Sequence, residues 1–158
     1  MIHLGKITWE NYAVCAIGLK LNEKQQTFLG NNELSLVQAY VSSANDEHPW
    51  LPFAIYLDDT VIGFTMIAYA TASDLIKENH YGIYRFMIAE EYQGKGYGRE
   101  ALAKIIEKIK TFPYGEAPAI YLSFNHENIA AKNLFLSVGF VETGEDDEEG
   151  CALAKLIL

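Results

Sequence analysis

The chain has 158 residues, half of them apolar, and a formal net charge of −9. This length suits a single domain over residues 1–158 with a sizeable core. The acidic balance argues against a nucleic-acid partner, because a phosphate backbone is bound by clustered Lys and Arg. No apolar run approaches the ~20 residues of a membrane span, the N-terminus lacks a signal-peptide layout, and the two cysteines have no metal-ligand spacing. We therefore expect a cytoplasmic protein without a metal.

The spacing of apolar residues predicts the elements of the first half of the chain. In order, they are a strand (Ile2–Thr8), a helix (Glu10–Lys20), an irregular polar segment (Asn22–Asn32), a shorter helix (Ser35–Ala44) and two apolar strands (Pro52–Leu57 and Val61–Ala70). Asp58, Asp59 and Thr60 separate the two strands, which predicts a hairpin.

The second half alternates strands and helices. A loop (Thr71–His80) precedes a strand (Tyr81–Ala89), a helix (Arg99–Lys110), a strand (Ala119–Phe124), a helix with Ala131, Leu134, Phe135 and Val138 on one face, and a closing antiparallel pair (Phe140–Gly144 and Ala152–Leu158). The stretch Glu142–Glu149 holds six acids and no base, which predicts a solvated turn. These elements indicate one α/β domain.

A glycine-rich run between a strand and a helix is the most informative part of the chain. Gly94, Gly96 and Gly98 recur at every second position. Such glycines let backbone amides converge at the start of a helix, where the helix dipole adds positive potential, so the run predicts a phosphate-binding loop. No Ser or Thr follows Lys95 as a nucleoside-triphosphate loop requires, and the spacing differs from the dinucleotide fingerprint. A turn that merely ends a strand is the alternative.

Two motifs carry a family resemblance. The pattern Gln-x-x-Gly-x-Gly from Gln93 to Gly98 resembles the pyrophosphate loop of the GCN5-related N-acetyltransferases (GNAT). The run from Asn128 to Phe140 resembles the second signature of that family, Asn-x-x-Ala-x-x-Leu-Tyr-x-x-x-Gly-Phe. Within the family, the runs Tyr84–Ile88 and Ile120–Ser123 are most similar to bacterial spermine/spermidine and diamine acetyltransferases.

The resemblance implies a fold and a co-substrate. The fold is a mixed, mostly antiparallel sheet with a splayed parallel pair at its centre and helices on both faces. Acetyl-coenzyme A would lie in the gap between the strands Tyr81–Ala89 and Ala119–Phe124, and the family also implies a homodimer. The implied cofactor contacts are Phe86, Met87, Ile88, Gln93, Gly94, Lys95, Gly96, Tyr97, Gly98, Arg99, Asn128 and Ala131. Gln93 closing the turn and Asn128 capping a helix are alternatives for these two residues.

The implied chemistry is the transfer of an acetyl group from a thioester to an amine. A backbone N–H of Met87 or Ile88 would polarise the thioester carbonyl. Phe135 stands where the family commonly carries a thiolate-protonating tyrosine, and Tyr84 stands where some members carry a carboxylate base. A tyrosine with its ordinary pKa of about 10 is a poor base at neutral pH. We therefore expect direct attack by an amine that loses its proton to water, with His126 as a further candidate base.

The acceptor is expected to bind among the irregular segments. Possible anchors for a diamine are Glu33, Asp46, Glu47, Asp74 and Glu78, with Trp50 and Tyr81 as packing surfaces. Arg85 places a charge in an apolar strand and predicts either a structural ion pair or a group near the acceptor site. The leading hypothesis is acetylation of a polyamine or diamine such as spermine or spermidine. The alternatives are another amine (an amino acid, an aminoglycoside or a protein N-terminus) or a non-catalytic acyl-coenzyme A-binding module.

Overall fold

The computed structural model describes residues 1–158 and contains one seven-stranded sheet. The strands are β1 (Ile2–Lys6), β2 (Leu51–Leu57), β3 (Thr60–Ala70), β4 (His80–Ile88), β5 (Ala119–Phe124), β6 (Val141–Asp146) and β7 (Ala152–Ile157). They are arranged in the order β1-β2-β3-β4-β5-β7-β6, and only β4 and β5 are parallel. The predicted sheet, mostly antiparallel with one central parallel pair, is confirmed.

Four α-helices accompany the sheet: α1 (Glu23–Gln26), α2 (Asn32–Asn45), α3 (Tyr97–Ile109) and α4 (Ile129–Ser137). α2 contributes Ala39 to a core cluster on one face of the sheet, together with Phe64 and Met87. α3 and α4 pack on the other face, where Leu102 and Phe135 belong to the largest core cluster. Helices therefore cover both faces, as predicted. None of them combines the length and apolar character that crossing a bilayer requires.

The parallel pair β4–β5 separates soon after it begins. Only Tyr81–Ile120 and Gly82–Tyr121 are paired. Directly after this point the β3–β4 register skips Tyr84, which leaves one extra residue on β4. A β-bulge of this kind bends its strand and increases the local twist. The bend accompanies a splay that leaves the later residues of β4 without a partner on the β5 side.

Three segments differ from the sequence prediction. The helix predicted over Glu10–Lys20 is reduced to a short turn ending in a π-helix (Val14–Gly18), and the predicted irregular segment contains α1. Residues 142–146 of the predicted acidic turn form most of β6, and the turn begins only after them. β6 is an edge strand with every residue exposed, so its sequence has no alternation, and its acids discourage pairing with other chains.

Candidate active site

The splay between β4 and β5 opens into a cleft of about 400 Å³. β4 and β5 form its sides, α4 lines it on one flank, and the chain after β4 and the segment around α1 complete it. We call Gln93–Gly98 the glycine loop and Leu21–Asn31 the strap. This cleft lies where the sequence predicted the cofactor gap.

The glycine loop presents backbone to the cleft. Gly94 and Gly96 have positive φ values of 74° and 87°, a conformation that side chains disfavour. A Cβ atom at either position would meet nothing within 4 Å, so the space beside the loop is open. Gly96 is the N-cap of α3, and no side chain caps the helix there. Free amides at a helix start beside open space fit a diphosphate group.

The other residues of this run divide into two groups. Arg99 and Gly98 line the cleft. Lys95 donates instead to the carbonyl of Glu91 at 2.9 Å, and Tyr97 packs on a core cluster. Neither of these side chains lines the cleft, so any contact of Lys95 or Tyr97 with a cofactor would come from the backbone.

Gln93 ties three parts of the site together. Its Nε2 donates to the carbonyl of Ile88 at 2.7 Å, and its amide also forms two hydrogen bonds with the amide of Gln25 in α1, at 2.7 and 3.1 Å. Both glutamines line the cleft. The expected role of Gln93 in closing the turn is therefore part of a larger one, and Gln25 is a site residue that sequence reasoning missed.

The N–H groups of Ile88 and Met87 point to opposite edges of β4. The N–H of Ala89 donates to Ile62 of the β3 side at 2.8 Å. Because successive residues of a strand turn their N–H groups to opposite edges, Met87 also faces β3, whereas Phe86 and Ile88 face the splayed edge. The bond from Gln93 to the Ile88 carbonyl agrees with this direction. The expectation that the Met87 N–H serves the cleft is thus not supported, and Ile88 is the better candidate donor.

α4 begins at the cleft with Asn128. Its Oδ1 accepts a hydrogen bond from the N–H of Ala131 at 3.2 Å, which makes it the N-cap of the helix. Asn128 and Ala131 both line the cleft. The capping role and a contact with a bound molecule are therefore compatible.

Few groups in the cleft can carry a proton. Its lining contains Tyr84, Arg85 and Arg99 but no Asp, Glu, His, Lys or Cys. Tyr84 is 50% exposed, and partial desolvation raises the pKa of its hydroxyl above its ordinary value, so it stays protonated at neutral pH. The Tyr84 ring stacks on Trp50, with centroids 5.2 Å apart. Phe135 lines the cleft and brings no proton.

Other predicted site residues lie away from the cleft lining. The prediction that Tyr81 is a packing surface for the acceptor is wrong. Tyr81 is 1% exposed, and its hydroxyl forms hydrogen bonds with the backbone of Tyr114 and Gly115, so it offers no surface to an amine. His126, the further candidate base, lies outside the cleft lining and pairs with Asp146 at the surface at 2.8 Å, so it is not placed to serve the cleft. Glu47 is exposed and lines neither main cavity.

Glu33 lies at a second cavity. This cavity has a volume of about 410 Å³ and shares Leu21, Leu29 and Met87 with the cleft, so the two spaces adjoin each other at these three side chains. Glu33 is the only acid and Lys20 the only base among the residues that line it.

Arg85 takes part in none of the ion pairs of the protein, so the predicted structural ion pair is wrong. Its guanidinium donates to three neutral oxygens, those of Gly30, Asn31 and Ser35. Desolvation lowers the pKa of this guanidinium from its usual value. Arg85 lines the cleft, and its position near the acceptor site stays a prediction.

Comparison with known proteins gives consistent results. A sequence model of the acetyltransferase (GNAT) family matches residues 19–140. A spermine/spermidine N(1)-acetyltransferase of Bacillus subtilis is 28% identical over 152 residues, which cover 94% of this chain and 93% of that protein.

Solved structures share the fold. An aminoglycoside acetyltransferase, AAC(6')-Ib, in complex with coenzyme A superposes with a TM-score of 0.77 at 19% identity and covers 99% of this chain and 95% of its own. A spermidine N-acetyltransferase from Vibrio cholerae, in complex with coenzyme A and spermine, superposes with a TM-score of 0.71 at 20% identity and the same coverage. With the splayed strands, the glycine loop and the family match over most of its length, the chain belongs to the acetyltransferase (GNAT) family.

Proposed function

We propose that the protein transfers the acetyl group of acetyl-coenzyme A to a primary amine of a polyamine or diamine, such as spermine or spermidine. The observation that carries this proposal is the cleft between β4 and β5, which has an uncapped glycine loop at one end and unpaired strand backbone along one side. Bound acetyl-coenzyme A would supply the thioester from which the acetyl group leaves.

The chain's own groups would bind the donor mainly through backbone. The amides from Gly94 to Arg99 would hold the diphosphate, and the Arg99 side chain, which lines the cleft, would add a positive charge. The free N–H and C=O groups of Phe86 would pair with amides of the pantetheine arm. The Ile88 N–H would donate to the thioester oxygen, where negative charge develops during attack.

Proton transfer would depend on water. Tyr84 holds its proton at neutral pH because burial raises its pKa, so it does not act as a base. Phe135 cannot protonate a leaving thiolate. The amine would therefore reach the cleft already deprotonated or lose its proton to solvent, without a single essential acid or base on the protein.

The polyamine acceptor is supported by the name of the Bacillus subtilis relative at 28% identity. The cleft itself has no acid to hold a cation. We place the distal cation of the polyamine at the neighbouring cavity, where Glu33 is the available carboxylate. Trp50 and its stacked partner Tyr84 would pack against the alkyl chain.

An amine panel tests the acceptor. Thiol release from acetyl-coenzyme A is measured with spermine, spermidine, shorter diamines, an aminoglycoside, amino acids and N-terminal peptides. We expect the highest kcat/KM for spermine or spermidine, and an increase of a few-fold in their KM in Glu33→Gln, with Glu47→Gln as the matched control. Turnover of peptides or aminoglycosides without turnover of polyamines would overturn the acceptor assignment and leave the acetyl transfer intact.

Assembly and location are part of the same proposal. α2 exposes a stripe of apolar side chains at helical spacing: Leu34, Val37, Tyr40 and Val41. We propose that this stripe contributes to a homodimer interface, which sedimentation of Tyr40→Glu against the wild type tests. Two unpaired cysteines and the use of acetyl-coenzyme A favour a cytoplasmic location.

A further inference from the structure

The contacts of Arg85 differ from those of an ordinary partly buried charge. Its Nε donates to Ser35 Oγ at 2.9 Å, and its two terminal nitrogens donate to the carbonyls of Gly30 at 2.8 Å and Asn31 at 3.3 Å. No carboxylate compensates the charge. A guanidinium taken partly out of water without a counter-ion is costly. The position of the Arg85 guanidinium therefore has to be explained by the backbone and side-chain groups to which it donates.

All three acceptors lie at one end of the strap and at the start of α2. Asn31 is the N-cap of α2, and its Oδ1 accepts from the N–H of Leu34 at 2.7 Å. A Cβ atom at Gly30 would come within 2.6 Å of the Arg85 guanidinium, so the strap backbone lies directly against it. Arg85 thus sets the position at which the strap ends and the helix begins.

The beginning of the strap is fastened to the chain just after β4. The N–H of Glu90 donates to the carbonyl of Lys20 at 2.8 Å, just before the strap begins. The amide pair of Gln25 and Gln93 follows at 2.7 Å. Between these bonds and Arg85 lie Phe28 and Leu29, two side chains that line the cleft.

Arg85 itself follows the bulged residue Tyr84 on β4, and the Ile88 N–H lies farther along the same strand. We call the part of the cleft lined by Tyr84 and Arg85 the acceptor end. We propose that Arg85 is a positioning residue that holds Phe28 and Leu29 of the strap as the wall of the acceptor end. The inference rests on the proposed acetyl transfer. The inference does not require the guanidinium to touch the substrate, because its nitrogens already donate hydrogen bonds to the end of the strap and the start of α2.

Charge and geometry predict opposite results for one substitution. If the positive charge mainly repelled a cationic amine, Arg85→Gln would lower the KM of the amine, and Arg85→Lys would resemble the wild type. If Arg85 positions the strap, both variants raise the KM of the amine about tenfold or more, since small misplacements near reacting groups are costly. Arg85→Lys does not hold the strap in place, because one ammonium group cannot reproduce the planar guanidinium that donates to three separate acceptors.

The experiment measures kcat and KM for spermidine at saturating acetyl-coenzyme A, the Kd of coenzyme A by calorimetry, and hydrogen exchange of peptides that cover residues 21–31. Ile109→Val serves as the control, because Ile109 is a buried core residue that does not line the cleft. We expect both Arg85 variants to raise the amine KM and to speed exchange in the strap, with a change in coenzyme A Kd of less than threefold. Ser35→Ala, which removes one acceptor, should give a smaller effect of the same sign.

Three results would overturn the proposal: a lower amine KM in Arg85→Gln, wild-type behaviour of Arg85→Lys, or strap exchange no faster than in Ile109→Val. If the wild type acetylates none of the amines, the proposed function fails. Strap exchange and coenzyme A affinity then still decide whether Arg85 holds the strap.

Discussion

The glycine loop and the strap line the same cleft with different parts of the polypeptide. The glycine loop uses backbone, since Gly94 and Gly96 offer amides and open space and the side chains of Lys95 and Tyr97 turn elsewhere. The strap uses side chains. Leu21, Gln25, Phe28 and Leu29 reach the cleft from it, whereas carbonyls of its last residues are bound by Arg85.

This difference has a functional consequence. A site made of backbone amides recognises what every donor molecule shares, namely a diphosphate and the amides of an extended arm. A wall made of side chains can change with a few substitutions while the sheet stays the same. We infer that the glycine loop side determines the donor and the strap side determines the acceptor. Each prediction below tests one side of this division.

The largest expected effect is on the backbone donor at Ile88. Proline at this position removes an N–H that faces the splayed edge and leaves the ladder to β3 intact. We expect Ile88→Pro to lower kcat by about 100- to 1000-fold, the usual loss for one oxyanion donor. Circular dichroism and coenzyme A binding establish that the variant is folded.

The test of the Ile88 N–H has a control substitution and a second way to remove the same N–H. Met87→Pro removes a bond to β3 and should destabilise the whole protein, unlike Ile88→Pro. If Ile88→Pro does not fold, an ester linkage at the same position removes the N–H while keeping the side chain. Turnover within threefold of wild type in either folded form would contradict the role of Ile88.

The next largest effect concerns the conformation of the glycine loop. Gly96→Ala forces a side chain into a left-handed conformation and should cost about 1–2 kcal/mol of stability. We expect coenzyme A binding to weaken about tenfold or more, because the loss of a hydrogen bond to a charged group is worth this much. Gly115→Ala is the matched control, since Gly115 has a φ of 111°, equally open surroundings and no place in the cleft. Equal loss of affinity in both variants would show that the effect is general destabilisation.

The same division explains what could be predicted from the sequence. Backbone recognition demands glycine at particular positions, so the run from Gly94 to Gly98 was informative before the structure was known. The succession of strands along the chain and the buried face of α3 followed from apolar patterns, whereas the arrangement of the sheet was implied by the family resemblance. Asn128 was found through both its motif and its capping role.

The strap side could not be predicted in the same way. Gly82 lies two residues before the bulge at Tyr84, and a glycine inside a strand can mark a bulge, but the position of the bulge depends on how β3 and β4 align. Gln25 meets Gln93 across 68 positions of sequence, and Arg85 reaches Gly30 across 55. Contacts of this kind depend on tertiary structure. Tyr81 was misjudged for the same reason, because the backbone groups that bind its hydroxyl lie on a distant loop.

A smaller effect is expected from Tyr84, which lies at the acceptor end. Because burial raises the pKa of its hydroxyl above 10, it stays neutral and protonated as pH rises through the range from about 6 to 9. The pH profile of kcat/KM should therefore follow only the deprotonation of the amine, and its inflection should move when an amine of lower pKa is used. Tyr84→Phe should leave this shape unchanged and alter turnover by less than about threefold. An inflection that stays fixed between amines and disappears in Tyr84→Phe would instead identify Tyr84 as a proton carrier.

The smallest effect is expected at Phe135, where the chain departs from the family's usual tyrosine. Its ring packs against Phe86, Phe124 and Phe140 at centroid distances of 6.2, 5.9 and 6.2 Å. Since coenzyme A thiolate leaves without full protonation, we expect Phe135→Tyr to change kcat by less than about twofold, although the added hydroxyl costs stability where it finds no partner. Phe140→Tyr adds the same group to the same cluster outside the cleft and controls for that cost. A gain of about tenfold or more in Phe135→Tyr alone would show that turnover is limited by the missing proton donor. The donor side would then need a proton-donating side chain in addition to its backbone groups.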